Sequence, residues 1–238
     1  MQRFKRIKVG NLVWLARDSL PVMNDPEAFL RDSSRFIKSS RVVTIARVPP
    51  SLILRRLNYG KPIHRIRDVF RPTRVVRALI ACTWLEQAGI RTPRALAAGE
   101  VRVCRWPKTA YLITEEIPNA RTVASFFSAN HRVPSGVAEL IAHLHGSGLS
   151  HRDLKWTNIL FDEQLAPWLI DLDGVRRMRR VPEERARKDL FSLARCFTPH
   201  PVTLKWSGAR FLYRYCKIRK LPFKEWAAAL IRRLHSGS

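Results

Sequence analysis

The chain has 238 residues, with 44 Lys and Arg against 19 Asp and Glu, a formal net charge of +25. Hydrophobic residues make up 46% of it, enough for a packed core. The basic excess points to an anionic partner such as nucleic acid, an acidic membrane surface or a phosphorylated small molecule. No apolar run reaches the ~18 residues of a membrane-spanning helix. The four cysteines, at 82, 104, 196 and 216, form no C-x-x-C pair, which argues against a zinc ribbon or dithiol redox motif and for reduced, mostly buried thiols.

In chain order, "MQRFKRIKVGNLVWLA" begins basic and turns apolar, as a signal peptide does. Its apolar part is short, contains Asn11 and ends in Arg17-Asp18, so it reads as mature protein. Residues 1–30 are otherwise mixed. "RVVTIARV" (41–48) and "SLILRRL" (51–57) predict a hairpin turned by Pro49-Pro50, and residues 55–74 are strongly basic. "PTRVVRALIACTWLEQAG" predicts a helix capped by Thr73 and stopped by Gly89. Two strands follow, near 97–104 and 110–117, before Pro118-Asn119 breaks the chain.

Beyond the break the pattern is helical, apart from short strands near 159–161 and 168–171. Residues 135–145 predict a helix with Val137, Leu140, Ile141 and Leu144 on one face. His143 and His145 form an H-x-H, but two helical residues diverge by about 200°, so a core or surface role for each is favoured over metal ligation. The tail, 183–238, predicts about three basic helices. The order predicts an α+β lobe, residues 1–117, joined to a mostly helical lobe, residues 118–238.

"HRDLKWTNIL" (151–160) carries the chemistry. Asn158 stands five positions after Asp153, and an apolar pair follows at once. Phe161-Asp162-Glu163 makes a turn, and "PWLIDLDGVR" forms the returning strand, with Asp171 eighteen positions after Asp153. Such a hairpin returns Asp171 to the neighbourhood of Asp153 and Asn158. Carboxylates and an amide oxygen at one mouth suit Mg²⁺, which takes few protein ligands and completes its shell with phosphate oxygens and water.

The spacing H-R-D-x-x-x-x-N, closed by an apolar strand and an Ile-Asp pair, resembles the catalytic loop of the protein-kinase-like fold. The resemblance implies a two-lobed fold, a small β-rich N-lobe and a mostly helical C-lobe, and ATP with Mg²⁺. It implies that Asp153 orients the attacking hydroxyl, that Asn158 and Asp171 bind Mg²⁺, and that Lys155 touches the transferred phosphate. "YLITEEI" (111–117) is similar to the strand and hinge between the lobes. Backbone groups of Glu115 to Ile117 would then meet the adenine, with Thr114 at the back of the pocket.

More of the chain, about residues 30–200, resembles the bacterial lipopolysaccharide core kinases, which phosphorylate Kdo or heptose sugars. "FRPTRVVRALIACTWLEQAGIRTPRALAAGE", "AYLITEEIPNARTV", "HRDLKWTNIL" and "LIDLDGVR" carry the resemblance, and "RARKDLFSLARCF" is similar to the basic helix after the metal-binding segment. The substrate so implied is an anionic glycolipid at the cytoplasmic face of the inner membrane. The basic clusters at 55–74 and 176–188 suit its carboxylates and phosphates and the anionic bilayer surface.

Three departures from the pattern stand out. No G-x-G-x-x-G precedes the first hairpin, which leaves "SSRFIKSSR" (33–41) as the candidate phosphate-covering turn. Arg55 stands where the family carries its ATP-binding lysine, and Ala78 where that lysine's glutamate partner is expected. Lys38 and Lys61 are alternative phosphate-binding cations. One rival reading is a catalytically impaired kinase-like protein that binds nucleotide or lipopolysaccharide. Another is a nucleic-acid-binding protein, suggested by the basic and aromatic "RFLYRYCKIRK" (210–220) but supported by no nucleic-acid fold. The sequence says nothing of the oligomeric state.

Overall fold

The segment Leu12–Ala16 buries Leu12, Trp14 and Ala16 and half-covers the residues between. That alternation marks a strand with one face on a core. In the computed structural model, which describes residues 4–59, 68–122, 136–195 and 202–235, it is the second strand of a seven-stranded antiparallel sheet. The strands are β1 (Lys5–Val9), β2 (Leu12–Ala16), β3 (Phe36–Ser39), β4 (Val43–Val48), β5 (Leu52–Asn58), β6 (Ala95–Val103) and β7 (Trp106–Glu115). Their order across the sheet is β1-β2-β6-β7-β5-β4-β3.

The β4–β5 hairpin agrees with the sequence expectation, and β6 and β7 begin a few residues earlier than expected. The β1–β2 hairpin within the first 30 residues was not foreseen. Gly10, at φ 55, turns it. β1, KRIKV, is an edge strand with mostly exposed charged side chains, so it lacks the apolar alternation that betrays β2. Residues 33–41 hold a 3-10 turn and the edge strand β3, and the turn itself falls between Ser39 and Val43.

Trp14, Met23, Leu54, Tyr111 and Ile113 pack into one buried cluster on this sheet. Gly99 is what lets Trp14 lie flat there. A Cβ on Gly99 would come within 2.5 Å of the indole. Gly99→Ala is therefore expected to destabilise the chain by about 1–3 kcal/mol through overpacking. A lowered thermal midpoint checks this, and an unchanged midpoint would mean that the indole shifts freely.

The predicted helix is α1 (Arg74–Gln87), and Gly89, at φ 67, ends it. Thr73 does not cap it through its side chain. Its hydroxyl is buried and unpartnered, and its backbone carbonyl instead accepts the Arg77 N–H at 3.0 Å. The chain divides into two compact units, residues 1–83 with 93–117, and residues 84–92 with 118–238. Residues 84–92 group with the second unit because they bond into it. Leu169 N–H donates to Arg91 O at 3.0 Å, and Thr92 Oγ1 donates to Leu169 O at 2.9 Å.

The second unit contains α2 (Gly136–Gly146), α3 (Glu183–Ala194), α4 (Val202–Arg219) and α5 (Phe223–His235). Two small sheets join them: β8 (Arg121–Thr122), β10 (Ile159–Phe161) and β11 (Pro167–Leu169) in one, β9 (Leu149–Ser150) and β12 (Arg176–Arg177) in the other. The predicted apolar face of α2 is buried, and Ala138, Ala142 and His145 widen it. His143 is exposed and His145 is in the core, so the H-x-H is split between surface and interior. Tyr215 of α4 stands edge-on to His145 and beside Trp226 of α5, with ring centroids 5.7 and 5.8 Å away. Gly148, at φ 74, turns α2 into β9, where any Cβ would lie 2.3 Å from Met178 O.

Candidate active site

Helix α3 carries a carboxylate where an apolar side chain would be expected. Asp189 lies among the buried Ala186, Leu190 and Leu193 and is itself only 1% exposed. A buried charge must be hydrogen-bonded. Its Oδ2 accepts from Ser150 Oγ at 2.7 Å and from the His151 N–H at 3.0 Å, and its Oδ1 accepts from the Arg152 N–H at 3.1 Å. His145 Nε2 lies 3.3 Å from Oδ2, and His145 Nδ1 lies 2.8 Å from Tyr215 Oη. A carboxylate only accepts, so a neutral His145 carries its proton on Nε2 and receives the tyrosine O–H at Nδ1. Burial raises the pKa of Asp189, but the hydrogen bonds from His145 and Ser150 outweigh it and hold the group below its ordinary value.

These bonds fix the backbone just before Asp153. Arg152 has φ 67, and a left-handed non-glycine residue costs about 1–3 kcal/mol unless its surroundings hold it. The two N–H bonds to Asp189 do so. Asp153 follows with a half-exposed carboxylate, and Lys155 Nζ sits 2.6 Å from its Oδ1. Trp156 then anchors the next turn, donating Nε1–H to Leu193 O of α3 at 3.1 Å.

Three further bonds gather Asn158 and Asp171 at the same place. Asn158 is buried and donates Nδ2–H to Asp153 O at 2.9 Å, which leaves its Oδ1 as the acceptor end. Ile170 N–H donates to Asn158 O at 3.0 Å, and His151 Nε2 lies 3.0 Å from Ile170 O. Ile170 is thus clamped from both sides, and Asp171 follows it directly. The hairpin behind this is short: Ile159 pairs with Leu169, and Asp162 closes the turn by accepting from Ala166 N–H at 2.8 Å and Trp168 Nε1–H at 2.9 Å. Asp171 is left-handed, at φ 61 and ψ 55, and does not cap the turn that follows it. Two strained non-glycine residues within one loop cluster are typical of sites where geometry matters more than local stability.

Among the described residues no three His, Cys, Asp or Glu side chains are arranged to hold a metal. The donors gathered here are an amide oxygen and carboxylates. They fit a hard cation such as Mg²⁺, whose remaining positions would go to phosphate oxygens and water. The β9–β12 pairing sets Arg176 opposite Ser150, so the basic run 176–188 begins beside this loop, with Arg177, Arg179 and Arg180 exposed.

The other sequence-derived candidates lie in the first unit. Arg55, on β5, pairs with Leu112 and Ile45, and strand alternation puts it with Ile53 and Leu57 on the face opposite Leu54 of the Trp14 cluster. Ala78 is buried on α1. Lys38 is exposed on β3. Thr114 and Glu115 end β7, and Ile117 is buried. The Glu115 N–H donates to Arg94 O at 3.0 Å and the Glu116 N–H to Ser51 O at 2.9 Å. Lys61 lies outside the described residues.

Comparison with known proteins supplies the context. The sequence profile of the lipopolysaccharide kinase (Kdo/WaaP) family matches residues 30–215. A 3-deoxy-D-manno-octulosonic acid kinase of Vibrio parahaemolyticus serotype O3:K6 is 36% identical over 97 residues, 39% of this chain and 40% of that protein. One from Xanthomonas campestris pv. campestris (strain B100) is 38% identical over 120 residues, 50% of this chain and 45% of that protein. The chain thus spans less than half the length of these curated relatives. Among solved structures, WaaP in complex with acyl carrier protein superposes with a TM-score of 0.63 at 19% identity, covering 89% of this chain and 92% of that one. WbdD follows at 0.53 and 16%, covering 96% and 52%. These likenesses carry the fold, the kinase-like α+β arrangement expected from the sequence. With the profile matched across residues 30–215, the chain belongs to the lipopolysaccharide kinase (Kdo/WaaP) family.

Proposed function

We propose that this chain is an ATP-dependent kinase acting on a sugar hydroxyl of the lipopolysaccharide inner core, Kdo in preference to heptose. The observation that carries the proposal is the loop in which Asp153, Asn158 and Asp171 are joined by hydrogen bonds through Asp153 O and Ile170. In this reading Asp153 orients the acceptor hydroxyl and takes its proton, and Lys155 moves from Asp153 to the transferred phosphoryl group. Asn158 and Asp171 hold Mg²⁺, which when bound neutralises phosphate charge. Thr114 backs the adenine site. Because the Glu115 and Glu116 N–H groups are already used, the base is left to Ile117 and to carbonyl groups. Kdo is favoured over heptose because the curated relatives named above are Kdo kinases.

The acceptor is an anionic glycolipid, and the proposed location is peripheral, at the cytoplasmic face of the inner membrane. The charge of +25 supports this, and no helix of the described residues is long and apolar enough to cross a membrane. The competing acceptors are separated by offering labelled ATP with Kdo-terminated and heptose-terminated precursors in one tube. Label in the heptose-terminated product alone would overturn the Kdo assignment.

Arg55 is assigned to the α- and β-phosphates in place of the usual lysine. A guanidinium is planar, carries five donors and grips phosphate oxygens bidentately, so it depends less on a helix glutamate, and an alanine at 78 would leave room for its bulk. Arg55→Ala is expected to raise the ATP KM and lower the rate, and Arg55→Lys to recover only part of both. Unchanged kinetics in Arg55→Ala would shift the role to another cation, Lys38 or Lys61.

A further inference from the structure

The first unit ends in an aromatic and basic hairpin tip that the proposed chemistry does not use. β6 and β7 close through a two-residue turn, Cys104-Arg105, with Val103 paired to Trp106. Both turn residues have positive φ, 48 and 69. That is the primed-turn conformation, for which glycine and asparagine are the usual choices, and neither stands here. Local backbone preference therefore did not select this tip.

A second segment is tied to it. Arg102 Nη1 donates to Asp68 O at 3.0 Å and to Arg105 O at 3.0 Å, and its Nη2 donates to Arg71 O at 3.4 Å. Glu100 holds the same guanidinium, with Oε1 2.8 Å from Nε and Oε2 3.2 Å from Nη2. The buried Asp68 carboxylate is itself held by Tyr59 Oη and Arg77 Nη1, each at 3.0 Å. One side chain thus braces three carbonyls from two segments. The surface so presented is apolar where a monomer gains nothing from it: Phe70 is 81% exposed, Val103 51% and Trp106 43%.

The exposed charge on these two segments is positive, since Glu100 is held by Arg102 and Asp68 is buried. Arg71, Arg105 and Lys108 are exposed, and no Asp or Glu occurs at 69–85 or at 101–114. Aromatic side chains beside exposed cationic ones match the interface of an anionic bilayer, where rings settle among headgroups and cations meet phosphates. A partner protein with an acidic surface would meet the cations but gives no reason for Phe70 and Trp106 to stay bare. We propose that the Cys104-Arg105 hairpin tip, with Phe70 beside it, is the element that docks this protein on an anionic lipid bilayer. The proposal deepens the peripheral location given above and rests on it.

The test uses the full chain and two kinds of vesicle, phosphatidylcholine alone and phosphatidylcholine with phosphatidylglycerol. Wild type is expected to bind the anionic vesicles and to keep a fraction bound at high salt, because apolar insertion is not screened as charge is. Phe70→Ser/Trp106→Ser, with an unchanged far-UV spectrum, is expected to bind about tenfold more weakly, the scale of losing two partly buried aromatic rings. It should also be released completely by salt. Lipids brominated along the acyl chain should quench wild-type fluorescence more than that of Trp106→Phe. Wild type that ignores anionic vesicles would overturn both the location and the tip. Wild type that binds while the double variant matches it, salt response included, would overturn the tip alone. Self-association of wild type that the double variant lacks would reassign the patch to a second copy of the chain.

Discussion

Asp153→Asn is expected to lower phosphoryl transfer by about 10²–10⁴-fold, the usual contribution of a positioned proton acceptor. Nucleotide binding should stay nearly unchanged. The side chain can be replaced without dismantling the loop, because its structural part is played by its backbone: Asp153 O accepts from Asn158 Nδ2 at 2.9 Å. The carboxylate is half exposed, and Lys155 lies beside it at 2.6 Å. A half-exposed ion pair contributes little to stability, so the variant should melt close to wild type. Lost transfer with intact Mg-dependent ATP binding is the pattern of a group that acts in the transition state. Parallel loss of binding and melting temperature would instead make Asp153 structural.

Asp189→Ala is expected to have the larger effect on stability. The carboxylate accepts from Ser150 Oγ and from the N–H groups of His151 and Arg152, and its removal leaves the first two buried without an acceptor and the third only partly open to water. Each orphaned donor costs about 1–3 kcal/mol, so together they approach the whole stability of a small domain. Asp189→Asn keeps one acceptor oxygen and should be milder. It should still lower kcat with little change in ATP KM at temperatures where it is folded, because Arg152 and hence Asp153 lose their fixed backbone. Loss of kcat and melting temperature in strict proportion would mean that Asp189 only stabilises.

Acid should act through the same residue. Burial opposes its charge, yet the hydrogen bonds from His145 and Ser150 win and depress its folded pKa. A depressed carboxylate stabilises the fold fully above its unfolded pKa of about 3.9, and that stabilisation disappears as pH falls through the lower folded value. Wild type should therefore lose stability steeply below about pH 4, and Asp189→Asn more gently.

The loop assigned to transfer was recognisable because its residues are close in sequence. Asp153, Asn158 and Asp171 lie within nineteen positions, and a three-residue strand pair is enough to return Asp171. Asp189 was missed for the opposite reason. In "RARKDLFSLA" a lone acid among basic residues reads as part of a solvated face. Yet Ala186, Asp189 and Leu193 stand at helical spacing on the apolar stripe, and an acid on a core position was the available signal. β1 and β3 escaped because edge strands carry charge where central strands carry apolar side chains. The brace at Arg102 joins residues 34 positions apart, and no local pattern announces it.

The most direct test of the central claim is acceptor-dependent turnover by the wild-type chain. With γ-labelled ATP, Mg²⁺ and a Kdo-bearing lipid A precursor, label is expected in the glycolipid, on a sugar hydroxyl, and only when both the metal ion and the acceptor are present. Mg-dependent ATP binding with no label in any inner-core precursor would contradict the account and leave a nucleotide-binding protein that transfers nothing.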